Sequence, residues 1–136
     1  MQKRKKYVEI EEDNGAVLRY FHHANGDGLV EETAAVDPTA HIERSAYVDP
    51  GAKVAADVRI HSGGWVDRGA MVRSGAVVGS CVHVGCGAVI GSDAKLGPRV
   101  KIGAGARVCD GVHIEADIVI PAGAVVRDHR RNGLAA

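Results

Sequence analysis

Every sixth residue from Val36 to Val126 is aliphatic, without a break. The series is Val36, Ile42, Val48, Val54, Ile60, Val66, Val72, Val78, Val84, Ile90, Leu96, Ile102, Val108, Ile114, Ile120 and Val126. All but Leu96 are β-branched. A helix repeats its apolar face every 3.6 residues and a lone strand every two. A period of six fits neither. It describes a short strand followed by a tight corner, repeated sixteen times along the chain, the pattern of a parallel β-helix.

The other positions of the hexad agree. With the aliphatic residue as position one, position five is small or aliphatic in fifteen hexads, from Ala40 to Ala124, and becomes Arg130 in the last. A narrow prism needs such residues at an inward-facing corner. Position four is glycine eight times and aspartate at Asp57, Asp93 and Asp117, residues that enter left-handed backbone angles at low cost. Positions two, three and six are mixed and polar and are expected to face outward. Position two is glycine in five successive hexads, at Gly79, Gly85, Gly91, Gly97 and Gly103. Glycine there admits a neighbouring backbone or a ligand.

Units such as Val84-Gly-Cys-Gly-Ala-Val, Ile90-Gly-Ser-Asp-Ala-Lys and Ile102-Gly-Ala-Gly-Ala-Arg resemble the hexapeptide repeat of the bacterial transferase superfamily. The resemblance implies an all-β fold, a left-handed parallel β-helix with three hexads per coil, and a homotrimer. The left hand comes from the resemblance, since general chirality favours right-handed crossovers. Sixteen hexads make about five coils, a prism ~25 Å tall at ~4.8 Å per strand.

The expected organisation is a basic tail and N-terminal hairpin cap over 1–34, the β-helix over 35–130 and a C-terminal tail over 131–136. In the cap, Tyr7-Val-Glu-Ile-Glu alternates and Asn14-Gly15 reads as a type I′ hairpin turn. Asn25-Gly-Asp-Gly28 reads as a second turn. This segment holds the only Phe and two of the three Tyr, and is expected to pack over the first coil. Lys3-Arg4-Lys5-Lys6 reads as a solvated tail, and nucleic-acid binding is not expected beyond it.

The 136 residues balance seventeen basic against seventeen acidic side chains. No bulk electrostatic pull toward nucleic acid or membrane follows. With no long apolar run or signal segment, a soluble cytoplasmic protein is expected, or one in a particle assembled inside the cell. Cys81, Cys86 and Cys109 do not form a disulfide framework, and they sit at different corners, so a cysteine metal site is not expected.

Residues eighteen apart stack on one face. Tyr47, Trp65, His83, Lys101 and Val119 therefore form an outward column, flanked at position two by Asp49 and Asp67. Aromatic residues favour interfaces, so Tyr47, Trp65, His83 and Lys101 are read as the trimer contact. The other reading is a cleft between subunits, with His83 as general base.

The superfamily's acyltransferases use a histidine base, and in many that histidine sits at position three or four. Here those positions hold no histidine before His129. His41, His83 and His113 are at position six and His61 is at position two. Such enzymes also build an acceptor pocket from a loop inserted at a corner, and the register here never slips. The superfamily includes γ-class carbonic anhydrases as well. If His61 took their first zinc-ligand position, the other two would fall on Ser74 and Gly79. No metal site is expected.

The sequence thus reads first as a trimeric, non-catalytic structural or interaction module without a cofactor, part of a larger protein assembly, a spacer or a lattice decoration. The alternative is an acyltransferase using coenzyme A or acyl-coenzyme A on a small hydroxyl or amine acceptor, with His83 or His61 as base.

Overall fold

The computed structural model describes residues 7–127. Its sixteen repeat strands are two residues each, from β4 (Ala35–Val36) to β19 (Val125–Val126), and each starts six residues after the one before. In each strand the second residue is the position-one aliphatic of the hexad. Every strand pairs in parallel with strands eighteen residues away, as Trp65 does with Tyr47 and His83. The repeat therefore stacks into three sheets, the faces of a triangular prism of about five turns. The first face carries the strands beginning Tyr47, Trp65, His83, Lys101 and Val119. The second carries Ala35, Lys53, Met71, Val89, Arg107 and Val125, and the third His41, Arg59, Val77, Lys95 and His113.

The core is what positions one and five supply. Ile42, Ile60, Ile90 and Val84 are fully buried, together with Ala40, Ala76 and Ala106. Such close-packed aliphatic interiors leave little room for a change of even one methylene. Position four takes a positive φ in every hexad from Ser45 to Gly123. The glycines and aspartates do so as expected, but Ser45, Cys81 and Arg99 do too, at φ 74, 57 and 61. The stacking register imposes that geometry at the corner whatever the residue.

Three longer strands, β1 (Tyr7–Glu11), β2 (Val17–His22) and β3 (Leu29–Glu31), precede the repeat. They are antiparallel to one another, and β3 pairs in parallel with the Tyr47–Val48 strand. They extend the first face upward as one continuous sheet. The turn between β1 and β2 is not the type I′ that Asn14-Gly15 suggested. Only Gly15 has a positive φ, its N–H donates to Glu12, and Glu12 and Ala16 pair beyond it. That is a three-residue loop with a glycine bulge. The Asn14 carboxamide is used instead to accept from the Ala16 N–H. Among the described residues no helix is long and apolar enough to cross a membrane.

Candidate functional site

The first face brings together the column expected from the eighteen-residue period. Tyr47 lies over Trp65 at 5.6 Å between ring centroids, and Trp65 over His83 at 3.8 Å, with the latter rings 11° from parallel. Strand residues at the same position of successive coils are held one strand spacing apart, so flat side chains there stack face to face. Each such pair contributes about 0.5–1.5 kcal/mol beyond its buried area.

The position-two carboxylates lock this stack. Asp49 accepts from Trp65 Nε1 at 2.7 Å through one oxygen and from the Tyr20 hydroxyl at 2.6 Å through the other. Asp67 accepts from His83 Nε2 at 2.9 Å. Position two was expected to face solvent, yet Asp49 is buried. Two converging donors compensate its desolvation, as a buried charge requires. Burial, followed by the hydrogen bond and the charge of Asp49, pushes the Tyr20 phenol well above its ordinary range. Burial and the charges of Asp49 and Asp67 raise Tyr47 as well.

A carboxylate can only accept, so His83 presents its Nε2–H to Asp67 and keeps the lone pair on Nδ1. The side chains of His83 and Asp67 are 33% and 19% exposed, so the pair is partly enclosed and still reachable. The second candidate, His61, stands on the corner that leads into the first face. Its Nδ1 lies 2.6 Å from Glu43 Oε2, and both side chains are more exposed than the His83 pair. Glu43 was not singled out in the sequence. Its place eighteen residues before His61, at the same hexad position, was the signal available. Lys101 continues the column below His83.

His41 and His113 are third-face strand residues; His41 contacts the Asn25 carboxamide at 3.1 Å. His129, Arg130 and the Lys3–Lys6 run lie outside the described residues. Among the described residues no three His, Cys, Asp or Glu side chains converge as a metal site would need. Ser74 and Gly79 offer no partner imidazole to His61.

The position-two glycines serve backbone packing. A Cβ on Gly85 would lie 2.4 Å from the Ile102 oxygen, and one on Gly103 would lie 2.3 Å from the Ala122 nitrogen. It is the next coil that comes this close. The sequence showed no groove, but the second face has one. It measures about 780 Å³ and is lined by Lys53, Arg73, Met71, Val54, Ala55 and Ser74, among others. It runs from the second-face strands to the corner beyond them, and Trp65, Asp67 and His83 are not among its lining residues.

No family model matches the chain, and no curated protein matches it. Solved structures do. The chain is similar to PerB from Caulobacter crescentus, solved in complex with CoA and GDP-perosamine, at 30% identity and a TM-score of 0.72 over 73% of this chain and 48% of that one. A histidine-to-alanine mutant of the GDP-perosamine N-acetyltransferase from Caulobacter crescentus, in complex with the same two molecules, matches at 30% identity and a TM-score of 0.57, over 73% of this chain and 47% of that one. The acetyltransferase domain of PglB from Neisseria gonorrhoeae is 24% identical with a TM-score of 0.49, covering 65% of this chain and 54% of that one. The chain spans about half the length of the two Caulobacter enzyme structures. Sixteen unbroken hexads on a three-faced parallel prism, with the likeness to PerB, support the chain as a member of the hexapeptide-repeat superfamily.

Proposed function

We propose that the chain is the β-helical part of a coenzyme A-dependent acyltransferase, acting on an amine or hydroxyl acceptor, with His83 as general base. The observation that carries this reading is the fixed His83 imidazole. Its Nε2–H is held by Asp67 and one ring face by Trp65, which leaves Nδ1 as the accepting atom. A base oriented by a carboxylate is the arrangement proton abstraction requires. Similarity to enzymes solved with CoA supports the donor class.

The residues present fit a coenzyme A donor. Lys53 and Arg73 can face its phosphates, and Met71 and Ala55 can line its pantetheine arm. With its thioester end brought to the first face, an acyl-coenzyme A would supply an activated carbonyl. His83 Nδ1 takes the acceptor's proton as the acceptor's nitrogen or oxygen attacks that carbonyl. The C–S bond breaks, and the proton passes from His83 to the departing sulfur, leaving imidazole neutral for the next cycle. Asp67 holds the Nε2 proton throughout and stabilises the transient imidazolium.

No corner between Val36 and Val126 carries an insertion, because every strand starts six residues after the last. This favours a second reading, a non-catalytic module. In the catalytic reading a neighbouring copy supplies the missing wall, with Tyr47, Trp65, His83 and Lys101 facing it in a homotrimer.

The test is thiol release from acetyl-coenzyme A with GDP-perosamine as acceptor. Wild type should turn over, and His83→Ala should lose about 10²–10⁴-fold in kcat. His61→Ala should stay near wild type. Turnover unaffected by His83→Ala would remove the assignment, and loss confined to His61→Ala would transfer it to the Glu43–His61 pair.

A further inference from the structure

The N-terminal strands reach the histidine site by two separate routes. On one, Tyr20 of β2 donates to Asp49, Asp49 accepts from Trp65, and Trp65 stacks on His83. On the other, Glu12, just after β1, pairs with Arg68, the residue next to Asp67. Asp67 in turn holds His83 and also accepts from the Arg68 N–H at 2.7 Å.

A hairpin that only capped the prism would need to cover apolar surface and satisfy strand edges. It would have no use for these contacts. Tyr20 is 5% exposed and its phenol is spent on Asp49, across 29 residues of sequence. The rest of β1 and β2 is much less buried: Val8 is 41% and Ile10 46% exposed. Tyr20, the one buried side chain of β1 and β2, therefore turns its polar contact toward the histidine site. Asp49 has two carboxylate oxygens and two donors, one from the hairpin and one from the indole. Removing either donor leaves the carboxylate held on one side only, so the remaining contact is less firmly fixed.

We infer that Tyr20 and Asp49 are positioning residues: the N-terminal hairpin fixes the Trp65 indole through Asp49, and the indole sets the plane of the His83 ring. This rests on the reading of His83 as the base, but its structural part can be tested without it. A ring held within hydrogen-bond reach and in one plane keeps its lone pair on the acceptor, and loosening it costs rate more than binding.

Trp65 is the only tryptophan in the chain, so its emission reports the stack directly. The experiment is time-resolved fluorescence anisotropy of Trp65 in the full chain, with melting temperature and acetyl-transfer kinetics on the same samples. Wild type should show no fast local motion of the indole. Tyr20→Phe keeps the ring and removes the hydroxyl. It should add a fast component and lower kcat with little change in KM. Glu12→Gln weakens the hairpin's other attachment, leaves the Asp49 hydrogen bonds in place and should keep the indole rigid. Asp49→Asn, which sets an NH2 donor against one of the two donors that the carboxylate oxygens accept from, should behave like Tyr20→Phe.

A rigid indole in Tyr20→Phe would overturn the inference whatever the activity. Equal mobility in Tyr20→Phe and Glu12→Gln would do the same, because general loosening of the hairpin would then explain both. A mobile indole with acetyl transfer indifferent to His83→Ala would leave the positioning contact standing and remove the catalytic reading.

Discussion

The coils above His83 and those below it are built on the same repeat and differ in what position two carries. Above, it holds Asp37, Glu43, Asp49, Ala55, His61, Asp67 and Arg73, polar at all but Ala55. From Gly79 onward it holds five glycines in a row, Gly79, Gly85, Gly91, Gly97 and Gly103, before Cys109, Glu115, Pro121 and Arg127. The upper carboxylates bind Trp65, His61, His83 and Tyr20. Past Val84 the side-chain hydrogen bonds among the described residues are those of Asp110 and the Arg99–Asp117 pair. The backbone scaffold is uniform from end to end, and the side chains at positions two and six of the hexad decide where chemistry can sit. The upper coils offer polar groups on a rigid frame, while the lower coils use the same position for close coil-to-coil contact.

Substitutions can break or sharpen this contrast. The largest effect should come from Val84→Asp, at a fully buried inward position on the boundary. An unpaired carboxylate there costs several kcal/mol, a large part of the ~5–15 kcal/mol that holds a typical domain together. Loss of a cooperative melting transition is expected; a normal melt would mean the inward and outward positions are assigned wrongly.

Next comes a pair of substitutions, one in each half. Gly103→Ala sets a Cβ 2.3 Å from the Ala122 nitrogen and should cost about 1–3 kcal/mol, as overpacking does. It should leave the upper-coil site intact. Asp67→Ala should do the reverse, with a modest change in melting temperature and a large loss of acetyl transfer. Chemical denaturation and a rate assay on both proteins would show whether stability and activity separate this way.

The pH dependence should also divide. Thr39 donors hold the Asp37 carboxyl below its usual range, and the Arg99 guanidinium does the same for Asp117. A carboxylate lowered in the folded state adds stability above its unfolded value, about 3.9, and loses it as pH falls further. Melting temperature should therefore drop on acidification, less steeply in Asp117→Asn. Tyr20 is raised, so the unfolded phenol ionises first, from about pH 10, and stability falls as pH rises beyond that. Tyr20→Phe should flatten the alkaline limb.

The smallest effect should be Arg99→Gly. Glycine relieves the φ of 61° that Arg99 adopts and removes an exposed ion pair with Asp117. These oppose each other, so the melting temperature should barely move.

The prism itself was legible because each hexad repeats one physical requirement, an aliphatic residue turned inward. The face-to-face column of Tyr47, Trp65 and His83 followed from the eighteen-residue period alone. What stayed hidden came from long-range geometry. The burial of Asp49 depends on Tyr20, 29 residues earlier, and no local pattern marks that pair. The left-handed Ser45, Cys81 and Arg99 obey the stack against their own preferences. The Asn14-Gly15 turn went to a different loop type because the pairing of Glu12 with Ala16 leaves three residues between them. The second-face groove arises from the small Ala35, Ala55 and Ala56 side chains beside Lys53 and Met71, a shape rather than a motif.

Titration calorimetry of coenzyme A into the purified chain tests the central claim most directly. The proposed acyltransferase should give saturable binding that weakens when Arg73 of the groove is changed to Glu. An absence of binding heat at millimolar coenzyme A, confirmed by an unshifted melting curve, would contradict it and leave the prism as a scaffold.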